Sequence, residues 1–272
     1  MESPQAKRAL DLEGFLRSDP PSLGAAPFPA GEGRSLFAPP RQFDPLCPEM
    51  IDRPGMDRAV LREELQTLEY FNRRGGGHWL VQQYVEQFVA AHRTTSLSIL
   101  DLGTGLADIP RALLAWARQR QLAITITAVD GNPEVLKLAR EACRARPEIQ
   151  LELGDLHSLP YAEESFDLVL CSLVLHHFTA AGAITLLRQI HRLARGGYIV
   201  NDLRRNWQTI WLTELLARAL SPSPVFRQDA VQSIRAAFTV RELRSLAERA
   251  GLSRFQIKPH QALCRMVLTG AK

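Results

Sequence analysis

An α/β fold built on a mostly parallel, doubly wound sheet is the class this sequence predicts. Two observations carry it. Over residues 98–202, short apolar runs that end in a carboxylate or small polar residue alternate with helix-period segments, and the first run feeds a two-glycine turn that opens a helix. Strands alternating with helices impose right-handed crossovers and a parallel sheet covered on both faces. A ligand then lies beyond the carboxyl ends of the strands.

Residues 1–54 hold Pro20-Pro21, Gly31-Glu32-Gly33 and Pro39-Pro40. Proline fixes φ and removes a donor, so an irregular segment draped over a domain of residues 55–272 is expected. From 56 to 71, Leu61, Leu65 and Leu68 recur at helical spacing; Gly75-Gly76-Gly77 interrupts, and a helix resumes over 78–91 with Leu80, Tyr84 and Phe88. Strands are expected at 98–102, 124–129, 150–153, 166–171 and 198–200, with helices at 109–120, 134–145 and 181–194 between them. After Asp202 the alternation stops. Residues 206–238 read as a helical insert broken at Ser221-Pro222-Ser223-Pro224, a candidate wall or lid over the substrate end. Thr239-x-x-Glu242 is a capping box for a helix at 240–250, which Gly251 stops. Runs at 255–258 and 263–269 close the sheet as an antiparallel hairpin.

The composition of the 272 residues, 46% apolar and 23% charged, is that of an ordinary globular chain. Its net charge of +4 is spread along predicted helices without interleaved aromatics, which speaks against a nucleic-acid partner. Cys47, Cys143, Cys171 and Cys264 form no C-x-x-C pair, so no metal site is expected and free thiols suit a cytoplasmic location. The opening Met-Glu-Ser-Pro is not a secretion signal, and no apolar run reaches the ~20 residues needed to cross a bilayer. The chain reads as a monomer or homodimer, with the apolar residues of 210–220 as a possible interface.

Asp101-Leu102-Gly103-Thr104-Gly105 brings backbone N–H groups and a helix N-terminus toward a ligand. Asp108 stands where a dinucleotide fingerprint requires glycine, and no Gly-Lys-Ser/Thr ending is present. An acidic turn suits a neutral or cationic ligand. The strand exits carry Asp101, Asp130, Asp155, Ser172 and Asp202. A single polar residue at such a place is usually a cap or turn former. Carboxylates at several successive exits point to a shared site.

This order of motifs resembles that of the class I S-adenosylmethionine-dependent methyltransferases, from about residue 57 to the C-terminus. Asp101–Gly105 matches the family's first motif, Asp130 its second acidic residue, Gly154-Asp155 its third motif, and Phe166 to Ser172 followed by His176-His177-Phe178 its fourth strand and loop. The set is similar to the ubiquinone/menaquinone-biosynthesis type, and Asn201-Asp202-Leu203-Arg204-Arg205 to methyltransferases associated with type III polyketide synthases. The resemblance implies a Rossmann-like seven-stranded sheet with S-adenosyl-L-methionine as cofactor. In that reading Gly103, Thr104 and Gly105 underlie the methionine and ribose, and Asp101 accepts from the ammonium. Asp130 takes the ribose hydroxyls, Gly131 follows it in the cofactor-binding turn, and Asn132 and Pro133 border the adenine face. Asp155 and the N–H of Leu156 meet the adenine edge, and Ser172 sits at the next strand exit. Ala107 stands where the family usually has a third glycine, a departure expected to alter packing slightly.

The resemblance also places His176, His177 and Asp202 near the reacting methyl, as candidates for a base or its orienter. Only one histidine is expected to face the cavity, and Arg204 and Arg205 are expected in solvent. Tyr70, Asn72, Arg74 and His78 are candidates to cover the cofactor. The function implied is methyl transfer to oxygen or ring carbon of a small phenolic, quinone-like or polyketide-derived acceptor. The alternatives are an RNA or protein methyltransferase, or a non-catalytic scaffold.

Overall fold

A computed structural model of the chain describes residues 38–53, 55–221 and 223–272; the proline and glycine pairs read at 20–33 lie outside them. Seven strands form one sheet: β1 (Ser96–Leu102), β2 (Ala123–Asp130), β3 (Ile149–Leu153), β4 (Phe166–Ser172), β5 (Ala194–Leu203), β6 (Phe255–His260) and β7 (Arg265–Ala271). Their order is β3-β2-β1-β4-β5-β7-β6. The first five run parallel, and β7 is antiparallel to both β5 and β6. This is the doubly wound sheet with a reversed terminal hairpin. β5 is longer than the expected run because it pairs with β4 on one side and β7 on the other; Gly196 and Gly197 give its start no side-chain pattern to read. β7 begins at Arg265 because Gln261–Leu263 form a 3₁₀ turn and Cys264 takes a left-handed φ of 56°.

The period of two along the central strands divides the core. Leu100, Leu102, Val169 and Cys171 face one layer; Leu97, Ile99, Leu168 and Leu170 face the other. The first layer is covered by α5 (Ala180–Leu193) and α8 (Val240–Arg249). The second is covered by α2 (Gly77–His92) and α3 (Asp108–Gln119). A smaller cluster joins Leu61 and Leu65 of α1 (Arg58–Arg74) to Val135 and Leu138 of α4 (Pro133–Ala142). The insert is two helices, α6 (Trp207–Leu220) and α7 (Pro224–Ala236), packed on each other. Residues 38–53 lie along α7: Asp229 accepts from the N–H groups of Met50 and Ile51, and Gln42 N–H donates to the Arg235 carbonyl. No helix among the described residues is long and apolar enough to cross a membrane.

One expectation is overturned. Arg205 is not in solvent but 1% exposed, with one guanidinium nitrogen 2.6 Å from both Glu242 oxygens. It also donates to the Ala237 and Pro39 carbonyls. A guanidinium can be buried only when its fork is matched this fully. Glu242 serves twice, because its Oε2 also accepts from Thr239 N–H in the capping box, which is present as expected.

Ala107, standing where the resemblance leads one to expect glycine, holds a left-handed φ of 55° and is fully buried. Such a φ costs a β-carbon roughly 1–2 kcal/mol. Burying the methyl returns about 0.8 kcal/mol. Ala107→Gly is therefore expected to change unfolding stability by less than about 1 kcal/mol, measured by chemical denaturation, because the two effects largely cancel.

Candidate functional site

The carboxyl ends of β1, β2 and β4 open onto two hollows that share a wall. The first, of about 170 Å³, is lined by Gly103, Gly105, Asp130, Gly131, Asn132 and Leu156. Gly103 has φ +70°, and a β-carbon there would stand 2.3 Å from Val174 Cγ2, so the turn needs glycine at that position. At Gly105 a β-carbon would meet nothing within 4 Å, which leaves the backbone open to a ligand. Asp130 is held by two backbone donors, Gly105 N–H at 2.9 Å and Asn132 N–H at 2.9 Å. Burial pushes its carboxyl up to about 6 against those two bonds. Asp101, Thr104 and Ser172 line the adjoining recess with Gly103 and Gly105. Burial, with the Thr104 hydroxyl opposing and Asp108 and Asp130 reinforcing, raises Asp101 to about 7.

Asp155 is not among the residues that line the hollow or the recess. Its Oδ1 accepts from His157 N–H at 2.8 Å and faces His157 Nδ1 at 3.2 Å, while its neighbour Leu156 reaches the hollow. Of the candidate cover residues, Tyr70 is exposed, with Arg74 over its ring. Asn72 and His78 turn inward instead, each 2.7 Å from Asp108 Oδ2. Burial alone would raise Asp108; the two hydrogen bonds and His78's charge outweigh it and hold the carboxyl low. Asp108 thus pins α1 and α2 to the start of α3.

The second hollow, of about 180 Å³, lies between α1, α7 and the ends of β5 and β7, and is walled by Phe71, His176, Leu203, Phe226, Ile234 and Arg265 among others. Glu49, Ile51, Leu68, Leu173 and His177 line both hollows, and both His176 and His177 line the second, where only one histidine was expected. The insert therefore forms a wall, chiefly through α7, and Phe226 stacks on Phe71 at 4.5 Å between centroids. The outer face of α6 exposes Trp207, Trp211 and Leu215.

His176 and Asp202 form a buried pair at the junction. His176 Nδ1 is 2.6 Å from Asp202 Oδ1, and His176 N–H donates to Oδ2 at 3.0 Å. Burial would raise Asp202; His176's charge and bond, the Leu203 N–H and His177 hold it low. With Nδ1 turned to the carboxylate, Nε2 lies 3.8 Å from Glu49 Oε1. His177 stands 3.1 Å from Asp52 Oδ2; burial opposes its charge, but Glu49, Asp52 and Asp202 prevail and push it up to about 10. Glu49, His176 and His177 each bring a polar atom within 4.8 Å of the others.

Sequence reasoning missed Glu49, Asp52, Glu64 and Arg265. For Glu64 a signal existed: it occupies the inward stripe of α1 beside Leu61 and Leu65, where a charge breaks the apolar period. Glu49 and Asp52 sit in a proline-rich segment with no period to violate. Arg265 is buried by the turn before β7.

The fold, with its glycine turn facing Asp101 and Asp130, is similar to that of S-adenosylmethionine-dependent methyltransferases. Residues 100–201 match the family model described as a methyltransferase domain (Methyltransf_11). Curated relatives include a probable pectin methyltransferase of Arabidopsis thaliana, 34% identical over 56% of this chain and 25% of its own length. A demethylmenaquinone methyltransferase of Deinococcus radiodurans is 35% identical over 29% of this chain and 32% of its own length. The chain thus spans only a minor part of these relatives. Among solved structures, the plantazolicin methyltransferase BpumL in complex with S-adenosylhomocysteine and a monoazolic desmethylPZN analogue aligns with TM-score 0.60 at 16% identity, covering 78% of this chain and 90% of that one. A putative S-adenosylmethionine-dependent methyltransferase of Methanococcus maripaludis aligns at 0.55 with 15% identity, over 78% and 93%. The first hollow and its adjoining recess fit S-adenosylmethionine: an open backbone at Gly105, and Asp130 and Asp101 for hydroxyl and cationic donors.

An ammonium placed against Asp101 would pair with its ionised form, so cofactor affinity is expected to rise with pH through about 7 and level off above it. Titration calorimetry with S-adenosylhomocysteine between pH 5.5 and 8.5 reads this directly. Asp101→Asn should weaken binding and flatten the profile.

Proposed function

We propose that this protein transfers a methyl group from S-adenosylmethionine to oxygen or ring carbon of a small phenolic, quinone-like or polyketide-derived acceptor bound in the second hollow. The observation that carries this reading is the meeting of the two hollows at Leu173 and His177, with the His176–Asp202 pair at the junction. Bound in the first hollow, the cofactor supplies an activated methyl group that leaves a neutral thioether behind.

The chain's own contribution is alignment and proton transfer. Asp101 and Asp130 fix the donor end, and the walls from α1 and α7 fix the acceptor. Holding two reactants in line is worth up to ~7–11 kcal/mol of barrier. His176 Nε2 takes the proton of the acceptor's hydroxyl or enol, and Asp202 orients the ring and stabilises the imidazolium that forms. His177 keeps its proton near neutral pH, so it is not the base in this reading; its charge sits beside Asp52 on the wall common to both hollows. The apolar surfaces of Phe71, Phe226 and Ile234 favour an aromatic or alkylated body over a sugar or a polynucleotide.

The test is incubation with isotope-labelled S-adenosylmethionine and a panel of phenols, quinones and alkylresorcinols, with products located by mass spectrometry. Label in a methoxy or ring-methyl group supports the proposal. Label only in RNA or protein, offered in parallel, overturns it.

A further inference from the structure

Two residues that line the second hollow each carry a buried polar atom without a hydrogen-bond partner: Glu64 Oε2 and Arg265 Nη1. Their residues are 5% and 6% exposed. Each side chain is anchored by its other arm. Glu64 Oε1 accepts from Ser223 Oγ at 2.5 Å, and Arg265 Nη2 donates to Asn72 Oδ1 at 3.0 Å. Asn72 is fixed in turn through Asp108. Buried polar atoms are nearly always paired, and an orphaned charged group is costly to keep. The other acidic groups of this hollow are committed elsewhere: Asp229 to the Met50 and Ile51 amides, and Glu49 Oε1 to Ser233 Oγ. The two orphans therefore differ from their neighbours in being held by one arm and unpaired at the other, on two residues that line the same hollow. One can only accept a proton-bearing group, and the other can only donate.

We infer that Glu64 and Arg265 are the polar contacts that select the methyl acceptor, Glu64 Oε2 receiving a hydroxyl and Arg265 Nη1 meeting a carboxylate or carbonyl oxygen of the same molecule. The inference rests on the methyl-transfer reading and narrows it to hydroxylated aryl or enolic compounds that carry an acidic or carbonyl substituent. The apolar walls supply affinity for the ring, and the two charged groups fix which edge turns toward His176. A site built around buried hydrogen-bonding groups rejects analogues that leave them unpaired.

The experiment uses the full chain saturated with S-adenosylhomocysteine and measures binding of 2,4-dihydroxybenzoate, 2,4-dimethoxybenzoate and resorcinol by calorimetry. The dihydroxybenzoate is expected to bind about 10–100-fold tighter than either analogue, since each lacks a partner for one charged group. Glu64→Gln should erase the preference over the dimethoxy compound alone. Arg265→Gln should erase the preference over resorcinol alone, and Arg265→Lys, which keeps the charge but loses the fork, should give an intermediate result. Equal binding of the three probes, or no binding of the dihydroxybenzoate to the native chain, overturns the inference. So does an Arg265 variant that loses S-adenosylhomocysteine instead, because the guanidinium would then serve the cofactor. Failure of the native chain to bind S-adenosylhomocysteine at all is a separate result and strikes the methyl-transfer reading itself.

Discussion

Arg205→Met is expected to lower the free energy of unfolding by about 3–5 kcal/mol, the cost of leaving a buried carboxylate without its cation. Glu242 is 2% exposed, and both its oxygens lie 2.6 Å from the guanidinium that is removed. The double variant Arg205→Met, Glu242→Gln should recover much of the loss, because the amide still caps Thr239 and carries no charge to strand. Denaturant midpoints of the two variants give the comparison; an equally unstable double variant would mean that the arginine acts mainly through its carbonyl contacts. A functional effect accompanies this. Arg205 also holds the Pro39 carbonyl, and Arg41 bonds the His176 and Phe178 carbonyls and lies 3.9 Å over the Phe238 ring. Loosening that strap displaces Glu49 and Asp52, so the KM for the acceptor should rise more than cofactor affinity falls.

His176→Ala is expected to lower kcat by roughly 10²–10⁴-fold, the usual worth of a positioned general base. S-adenosylhomocysteine affinity should change little, because His176 lines the second hollow and not the first. Asp202→Asn tests the pair from the other side. An amide cannot stabilise the imidazolium, and it can fix the ring in the wrong tautomer. Turnover should therefore fall in Asp202→Asn as well, and the effects of the two substitutions should not add. If both variants turn over at the native rate with the cofactor bound, alignment alone carries the reaction. The assay should be repeated with a chelator. A base mechanism leaves the rate unchanged, whereas loss restored by a divalent cation would shift the roles of Glu49, His176 and His177 toward holding that cation.

The sequence by itself determined the sheet and the glycine turn with its neighbouring carboxylates. Periods of two and of about 3.6 are local properties, and glycines at Gly103 and Gly105 announce a turn whatever surrounds it. Carboxylates at strand ends are equally local, so Asp101 and Asp130 could be placed beside that turn before any coordinates. What depends on distant parts of the chain was not legible. Arg205 looks like a surface residue until Glu242, 37 positions on, is folded against it. Glu49 and Asp52 lie in an aperiodic stretch, and only docking along α7 brings them to the two histidines. Asn72 and Arg265 are 193 positions apart and meet only because β7 returns antiparallel to β5 beside the first helices. The second hollow is assembled from such long-range contacts, which is why tertiary structure alone decided it.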